Sequence, residues 1–367
     1  MNFSIFKFIK QQIFLLICCF SFISYSQAIR LSDQAQVSVL TCGSGNEMYS
    51  IFGHTAIRIS DPSTGFDVVY NYGMFDFNTP NFYSKFIKGD LLYSIGIENY
   101  NEFLATYKYY NRSVNEQYLN LTTEQKQSIL DQIETQITTK DRYYRYKFIE
   151  NNCTTKVVDL LNNVLESPLE TNFEGNEMSQ RIILNSYLQN NYFEKLGINL
   201  LFSKVVDKDN TKVFLPEKLM HSISNTNKDE FELLQNDVLH FEKIKDKKDT
   251  NWNTIYFFSI ICLILIFISR LKFIQFSLFV IFGLFGIVIL TVSLYTSHNE
   301  LVFNETLLIL NPLYFLLFFK KIRKLTVKIL VCLILIFLIV ASFTKILIVL
   351  PLLILQVFLL IQFYKKI

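Results

Sequence analysis

Phe52-Gly53-His54-Thr55-Ala56-Ile57-Arg58-Ile59-Ser60-Asp61-Pro62-Ser63-Thr64-Gly65-Phe66-Asp67-Val68-Val69-Tyr70-Asn71-Tyr72 reads as a β-hairpin. His54 to Ser60 is a strand, Asp61 to Gly65 concentrates turn formers, and Phe66 to Tyr72 returns as the partner. A hairpin closed at that turn sets residues whose numbers sum to about 125 against each other, so His54 lies opposite or diagonal to Asn71. Outward from it, Val37 to Thr41 and Leu91 to Ile97 read as further strands of a small antiparallel sheet. Leu121-Thr122-Thr123-Glu124 carries a capping-box pattern that opens an amphipathic helix to about Thr138. A second helix opens at Asn151-Asn152-Cys153-Thr154-Thr155, with Val157, Val158, Leu160, Leu161 and Leu165 available for burial.

The rest of the 367-residue chain is of another kind. Only 18% of its residues are charged, below the roughly 25% of an ordinary globular protein. After residue 250 two acidic residues, Glu300 and Glu305, stand against ten basic ones, so the net charge of +3 is the sum of an acidic front part and a basic rear part. The basic residues flank apolar runs, which argues against a nucleic-acid binder. Lys7 and Lys10 precede the apolar run Ile13 to Ile23, and Ser26-Gln27-Ala28 supplies a cleavage pattern, so residues 1–28 read as a signal peptide and 29–250 as exported. Apolar stretches at about 253–269, 273–295, 301–319, 325–343 and 346–363 read as five transmembrane helices. Nine basic residues, from Arg270 to Lys366, then fall on the cytoplasmic side and Lys345 alone outside, as the positive-inside tendency requires.

Chemistry-bearing residues fall in both parts. Cys153 at a helix N-terminus gains from the positive end of the dipole, which favours a thiolate. His54 is the candidate base, and the Asn71 side-chain oxygen is the candidate acceptor that fixes its tautomer; Asp67 and Asp76 are alternatives for that third place. Cys42 is the other cysteine of the exported part, so a Cys42–Cys153 disulfide is the competing reading in an oxidising compartment. Arg58 shares a strand face with His54 and is a candidate contact for a phosphate or carboxylate. In the membrane part His298, Asn304, Glu305 and Asn311 are substrate-binding candidates, because polar groups at membrane depth are expensive. A helix would bring Asn304 and Asn311 to one face. No metal site is expected, since His and Cys lack ligand spacing.

Met48-Tyr49-Ser50-Ile51-Phe52-Gly53-His54-Thr55-Ala56-Ile57-Arg58, then Tyr70-Asn71-Tyr72-Gly73 and Asn151-Asn152-Cys153-Thr154-Thr155, resemble the Lnb N-terminal periplasmic domain family over roughly Val37 to Leu165. The order, a histidine strand before a cysteine helix, also resembles circularly permuted papain-like folds of the NlpC and lecithin:retinol acyltransferase kind. The resemblance implies an α+β papain-like domain over 29–165, an extension and linker over 166–250, and an all-α multi-span bundle over 251–367. It implies lipoprotein N-acylation: a fatty acyl chain passes through a thioester on Cys153, with His54 as base, to the N-terminal amine of a diacylglyceryl-cysteine lipoprotein. Asn71 as third member rests on strand pairing and not on the resemblance. The partners implied are a phospholipid or lipoprotein acyl donor, a lipoprotein acceptor and the membrane, without cofactor, metal or nucleic acid. The location is a multi-pass inner membrane protein with its N-terminal domain in the periplasm. A cell-envelope cysteine peptidase or amidase, a phospholipase-type acyl hydrolase and a non-catalytic membrane receptor remain as alternatives.

Overall fold

A computed structural model describes residues 29–228, 231–244 and 252–367, so the expected signal peptide lies outside the described residues. The front part alternates strands and helices: β1 (Gln36–Cys42), β2 (His54–Asp61), β3 (Phe66–Met74), α1 (Phe82–Lys88), β4 (Leu92–Asn99), α2 (Tyr100–Tyr109), β5 (Val114–Leu119), α3 (Thr123–Thr138), β6 (Tyr143–Arg145), α4 (Cys153–Asn162), α5 (Gln180–Tyr187), α6 (Tyr192–Leu201), α7 (Pro216–Asn225) and β7 (Leu234–Phe241). The seven strands form one antiparallel sheet in the order β6-β4-β3-β2-β1-β5-β7.

The hairpin forms as the sequence directs. Asp61 accepts from the Ser63 amide at 3.0 Å and from the Ser32 amide and hydroxyl at 2.8 and 2.7 Å, so one carboxylate organises the turn and pins the N-terminal arm. Asp61 pairs with Phe66 and Ile57 with Tyr70, which places His54 diagonal to Asn71. Strand alternation then sorts the core. Val37, Val39, Ile57, Ile59, Tyr70 and Tyr72 pack with Ile129, Ile133, Val157 and Leu161 of α3 and α4, while Leu40, Cys42, Ala56 and Val69 pack with Phe103 and Tyr107 of α2. Each fully buried Ile or Leu contributes about 1.5–3 kcal/mol. The capping box of α3 uses Thr122 with Gln125, and that of α4 uses Asn152 with Thr155.

Elements of the expected extension join this domain: β7 hydrogen-bonds along β5, α7 packs on β1, and α6 reaches the membrane helices, where the Tyr192 hydroxyl donates to Ile348 O at 2.7 Å.

The rear part contains α8 (Ile255–Ile268), α9 (Lys272–Tyr295), α10 (Arg323–Val340) and α11 (Phe343–Tyr364). Among the described residues, three segments are long and apolar enough to cross a membrane: Lys272–Tyr295, Asn299–Phe318 and Phe343–Tyr364. Of the other two expected spans, α8 has 14 residues and α10, with 18, begins at Arg323, Lys324 and Lys328. The middle segment departs from expectation. It is a series of short 3₁₀ turns, because Asn304 and Asn311 turn their side chains back onto Thr306 N (2.9 Å) and Leu313 N (3.1 Å), Phe303 adopts a left-handed φ of 52°, and Pro312 follows. Asn304 and Asn311 therefore act as caps of separate turns and do not line one helix face.

The bundle has two distinct ends. The Thr296–Glu305 and Ser342–Lys345 end meets the sheet domain, and at the other end Lys366 Nζ donates to Arg270 O at 3.3 Å.

Candidate active site

Cys153 is the first residue of α4. Asn152 Oδ1 accepts from the Thr154 and Thr155 amides at 2.9 and 3.0 Å, which fixes the turn that presents the thiol. The Asn152 amide group is itself held by Phe148 O and Phe214 O at 2.8 and 2.9 Å, so the cap is tied to two other segments. The hydroxyls of Thr55 and Thr154 lie 3.0 Å apart and dock α4 on β2.

His54 starts β2 and is oriented from the far side. Its Nε2 stands 2.7 Å from Asn71 Oδ1, and Asn71 Nδ2 donates to Glu98 Oε1 at 2.9 Å. Because Glu98 accepts, the amide oxygen of Asn71 must face the imidazole, so Nε2 carries the proton and Nδ1 is left for Cys153. Gly73 lies beneath the ring: a Cβ there would collide with His54 Cε1, so only glycine leaves the imidazole in place. The Gly73 amide also donates to Asn71 Oδ1 at 2.9 Å.

The electrostatics follow from this geometry. Burial alone raises the Cys153 thiol, but the charge and hydrogen bond of His54, with the Thr55 amide and the Thr154 hydroxyl, bring it below its ordinary 9.0. Burial alone lowers His54, yet the Cys153 charge and hydrogen bond carry it above its ordinary 6.5. Each group thus favours the charged form of the other. Cys42, beneath this site and paired with His54 across β1 and β2, is pushed up to about 12 by burial and stays a neutral thiol. Cys42 and Cys153 are both free cysteines, which removes the expected disulfide alternative from this structure.

These groups open on a cavity of about 230 Å³. Its walls are largely aromatic, among them Tyr49, Phe75, Phe86, Tyr93, Tyr146 and Phe148. Leu215 and Pro216, from the stretch least legible in sequence, complete them. A larger, shallow concavity of about 740 Å³ runs along α3 between Arg30 and Gln136 and contains no cysteine or histidine.

The remaining candidates sit elsewhere. Arg58 shares the strand face expected of it, but its guanidinium is fully engaged, by Asp67 at 2.7 and 2.9 Å and Glu116 at 3.0 and 3.1 Å, and lies 3.4 Å from the Tyr100 ring centre. Glu116, wholly buried, also takes His240 at 2.5 Å, so this cluster knits β2, β3, β5 and β7 together. Arg58 is a fold residue and not a wall of the cavity. Asn304 and Glu305 are equally committed. Asn304 donates to Leu200 O and Leu201 O at 2.7 Å each; Glu305 takes Lys345 Nζ at 2.5 Å and the Lys204 amide at 2.8 Å. Nearby Arg181 holds Asp207 at 2.6 Å and Asn199 at 2.9 Å. Asn311 is enclosed where α9 passes at Gly286, whose absent side chain would strike the Asn311 backbone. These residues therefore do not line the entrance expected of them. His298 comes nearest: its Nε2 donates to the carbonyl of the cavity residue Phe86 at 2.9 Å, and its Nδ1 lies 3.2 Å from Glu300. It supports the wall without lining it. Sequence reasoning missed Glu98, whose role depends on a diagonal contact between β3 and β4.

Among the described residues no group of His, Cys, Asp and Glu could hold a metal ion. No curated protein and no solved structure gives a significant match to this chain. Residues 23–185, which contain the hairpin, Cys153 and its helix, match the family described as the Lnb N-terminal periplasmic domain, so this part of the chain belongs to the Lnb family, set ahead of three segments able to cross a membrane.

Proposed function

We propose that the protein is a membrane-bound lipoprotein N-acyltransferase working through a Cys153 thioester, on a permuted papain-like domain. The observation that carries this reading is the Cys153–His54–Asn71 set opening on an aromatic cavity that is fastened to membrane helices. A peptidase or amidase would use the same pair, but a polar peptide gains little from aromatic walls, whereas each buried acyl methylene is worth about 0.8 kcal/mol.

The chemistry runs in two transfers. The Cys153 thiolate attacks the carbonyl carbon of an acyl ester, the carbon–oxygen bond breaks, and the imidazolium of His54 gives its Nδ1 proton to the departing alkoxide. Neutral His54 then takes a proton from the acceptor amine as its nitrogen attacks the thioester, the carbon–sulfur bond breaks, and the thiolate is restored. Asn71 keeps Nε2 protonated through both steps. The Asn152 cap occupies the Thr154 and Thr155 amides, which leaves the Cys153 amide as the first-turn donor for the oxyanion. The same aromatic walls limit water, which would otherwise hydrolyse the thioester.

Mass spectrometry of a lipoprotein's N-terminal peptide in cells carrying Cys153→Ala tests the reading. Loss of the amide-linked acyl chain is expected; an unchanged N-terminal peptide would overturn it.

A further inference from the structure

Among the described residues that wall the cavity around Cys153, Arg112, in the turn between α2 and β5, is the one lysine or arginine. Its Nε donates to Gly43 O at 2.9 Å and its guanidinium stacks 4.7 Å from the centre of the Tyr107 ring, so the group is held in place. Gly45 leaves it room, since a Cβ there would stand 3.3 Å from Arg112 Cδ. Yet Arg112 Nη2 is buried with no hydrogen-bond partner among the described residues. A buried donor left unpaired is costly, and a charged guanidinium more so. Arg58 and Arg181, also largely buried, each have carboxylate partners; among the described residues Arg112 has none. A forked donor of this kind on a cavity wall suits a phosphate or carboxylate oxygen.

Phe86, Tyr93 and Tyr146 form a stack elsewhere on the wall, with ring centres 5.8 and 4.5 Å apart. Phe86 belongs to α1, which is bound to the end of the α9 span: Thr296 Oγ1 donates to Ile87 O at 2.7 Å and the Ser297 amide to Lys88 O at 2.9 Å. The aromatic stack is thus continuous with the membrane-facing part of the molecule, and Tyr83 and Phe77 beside it are exposed.

We propose that the cavity takes a glycerophospholipid in one orientation: head-group phosphate on Arg112, ester carbonyl at Cys153, acyl chain along Phe86, Tyr93 and Tyr146 toward the bilayer. This rests on the acyl-transfer reading and names its donor. The diacylglyceryl ester of a lipoprotein has no phosphate and leaves Arg112 unpaired, so the geometry favours transfer from a separate phospholipid.

The test uses lipids that cannot react. The full chain carrying Cys153→Ala, in neutral detergent, is titrated with a fluorescent ether-linked glycerophospholipid and with the corresponding ether-linked dialkylglycerol. The phosphate-bearing probe is expected to bind at least about tenfold tighter, Arg112→Gln to erase the difference, and Arg112→Lys to keep part of it. Inorganic phosphate should compete only at millimolar levels. Equal binding of the two probes, a preference that survives Arg112→Gln, or full displacement by micromolar phosphate would overturn the proposal. Should Arg112→Gln fail to fold, a photoreactive head group on the same probe is expected to label Gly43–Ser50 or Tyr107–Ser113 in the Cys153→Ala chain, and labelling confined to the bundle would contradict the assignment. Neither probe has an ester to cleave, so a preference for phosphate without any thioester in the native enzyme would defeat the acyl-transfer reading and leave the lipid site standing.

Discussion

Two clusters of polar side chains, each buried or half-buried, can be set side by side: Cys153, His54, Asn71 and Glu98 in the sheet domain, and Lys345, Glu305, Asn304, Arg181 and Asp207 where that domain meets the bundle. Both are dense and both contain residues that the sequence marks as candidates. They differ in what they leave open. In the second, Lys345 Nζ has Glu305 and Phe202 O at 2.5 and 3.0 Å, Asn304 binds two backbone carbonyls, and Arg181 binds Asp207, Asn199 and Ser203 O. Each charge there has a partner of the chain's own, and the cluster fastens α5, α6 and the following loop to the membrane helices. In the first, donation runs one way, from His54 to Asn71 and from Asn71 to Glu98, and the other side of the imidazole is left for a thiol that faces a cavity. A closed set of partners marks a joint, and an open-ended one marks a reactive group.

Substitution should separate the two. Cys153→Ala is expected to lower acyl transfer by about 10⁴-fold or more, as removal of a nucleophile does, with the thermal midpoint in detergent little changed. Glu305→Ala should do the reverse. It leaves Lys345 buried without its carboxylate, a cost of about 3–5 kcal/mol, read as a lower thermal midpoint and yield with undiminished activity per folded molecule; Glu305→Leu combined with Lys345→Met should recover much of it. A loss of specific activity in well-folded Glu305→Ala would return that residue to the site. Asn71→Ala frees the imidazole to rotate and should cost about 10²-fold in transfer at nearly full stability; an effect as small as that of a surface substitution would remove Asn71 from the set.

The smallest effect is one of pH. The Cys153 thiol lies below its ordinary 9.0 and His54 above its ordinary 6.5, so alkylation by iodoacetamide should persist as pH falls below 9 and fade only as the pair becomes protonated at lower pH. Replacing His54 by Gln removes the charge that lowers the thiol and leaves burial, which raises it, so the midpoint should move up. A midpoint that does not move would show that His54 does not act on Cys153.

Local signals made much of this legible. The Asp61–Gly65 turn fixed the hairpin within two residues of its register, and Asn152 before Cys153 marked the helix start that carries the cysteine. What escaped depended on distant contacts or on side chains that replaced backbone bonds. Strand β7 has no fully buried side chain, so no apolar alternation marks it, and its pairing with β5 makes it a strand. Residues 299–318 carry the hydropathy of a span but not its helix, because Asn304, Asn311 and Pro312 each favour a local turn. Arg58 looked like an anion contact, since Glu116, 58 residues further on, is invisible as its partner in the linear chain.

The central claim is that Cys153 carries the acyl chain, and trapping that species tests it most directly. The purified full chain, incubated with phospholipid vesicles and no lipoprotein acceptor and then digested, should yield the Cys153 peptide heavier by one acyl chain, released by neutral hydroxylamine and missing from His54→Gln. N-acylation of a lipoprotein acceptor by the same preparation, with Cys153 unmodified throughout, would contradict the account.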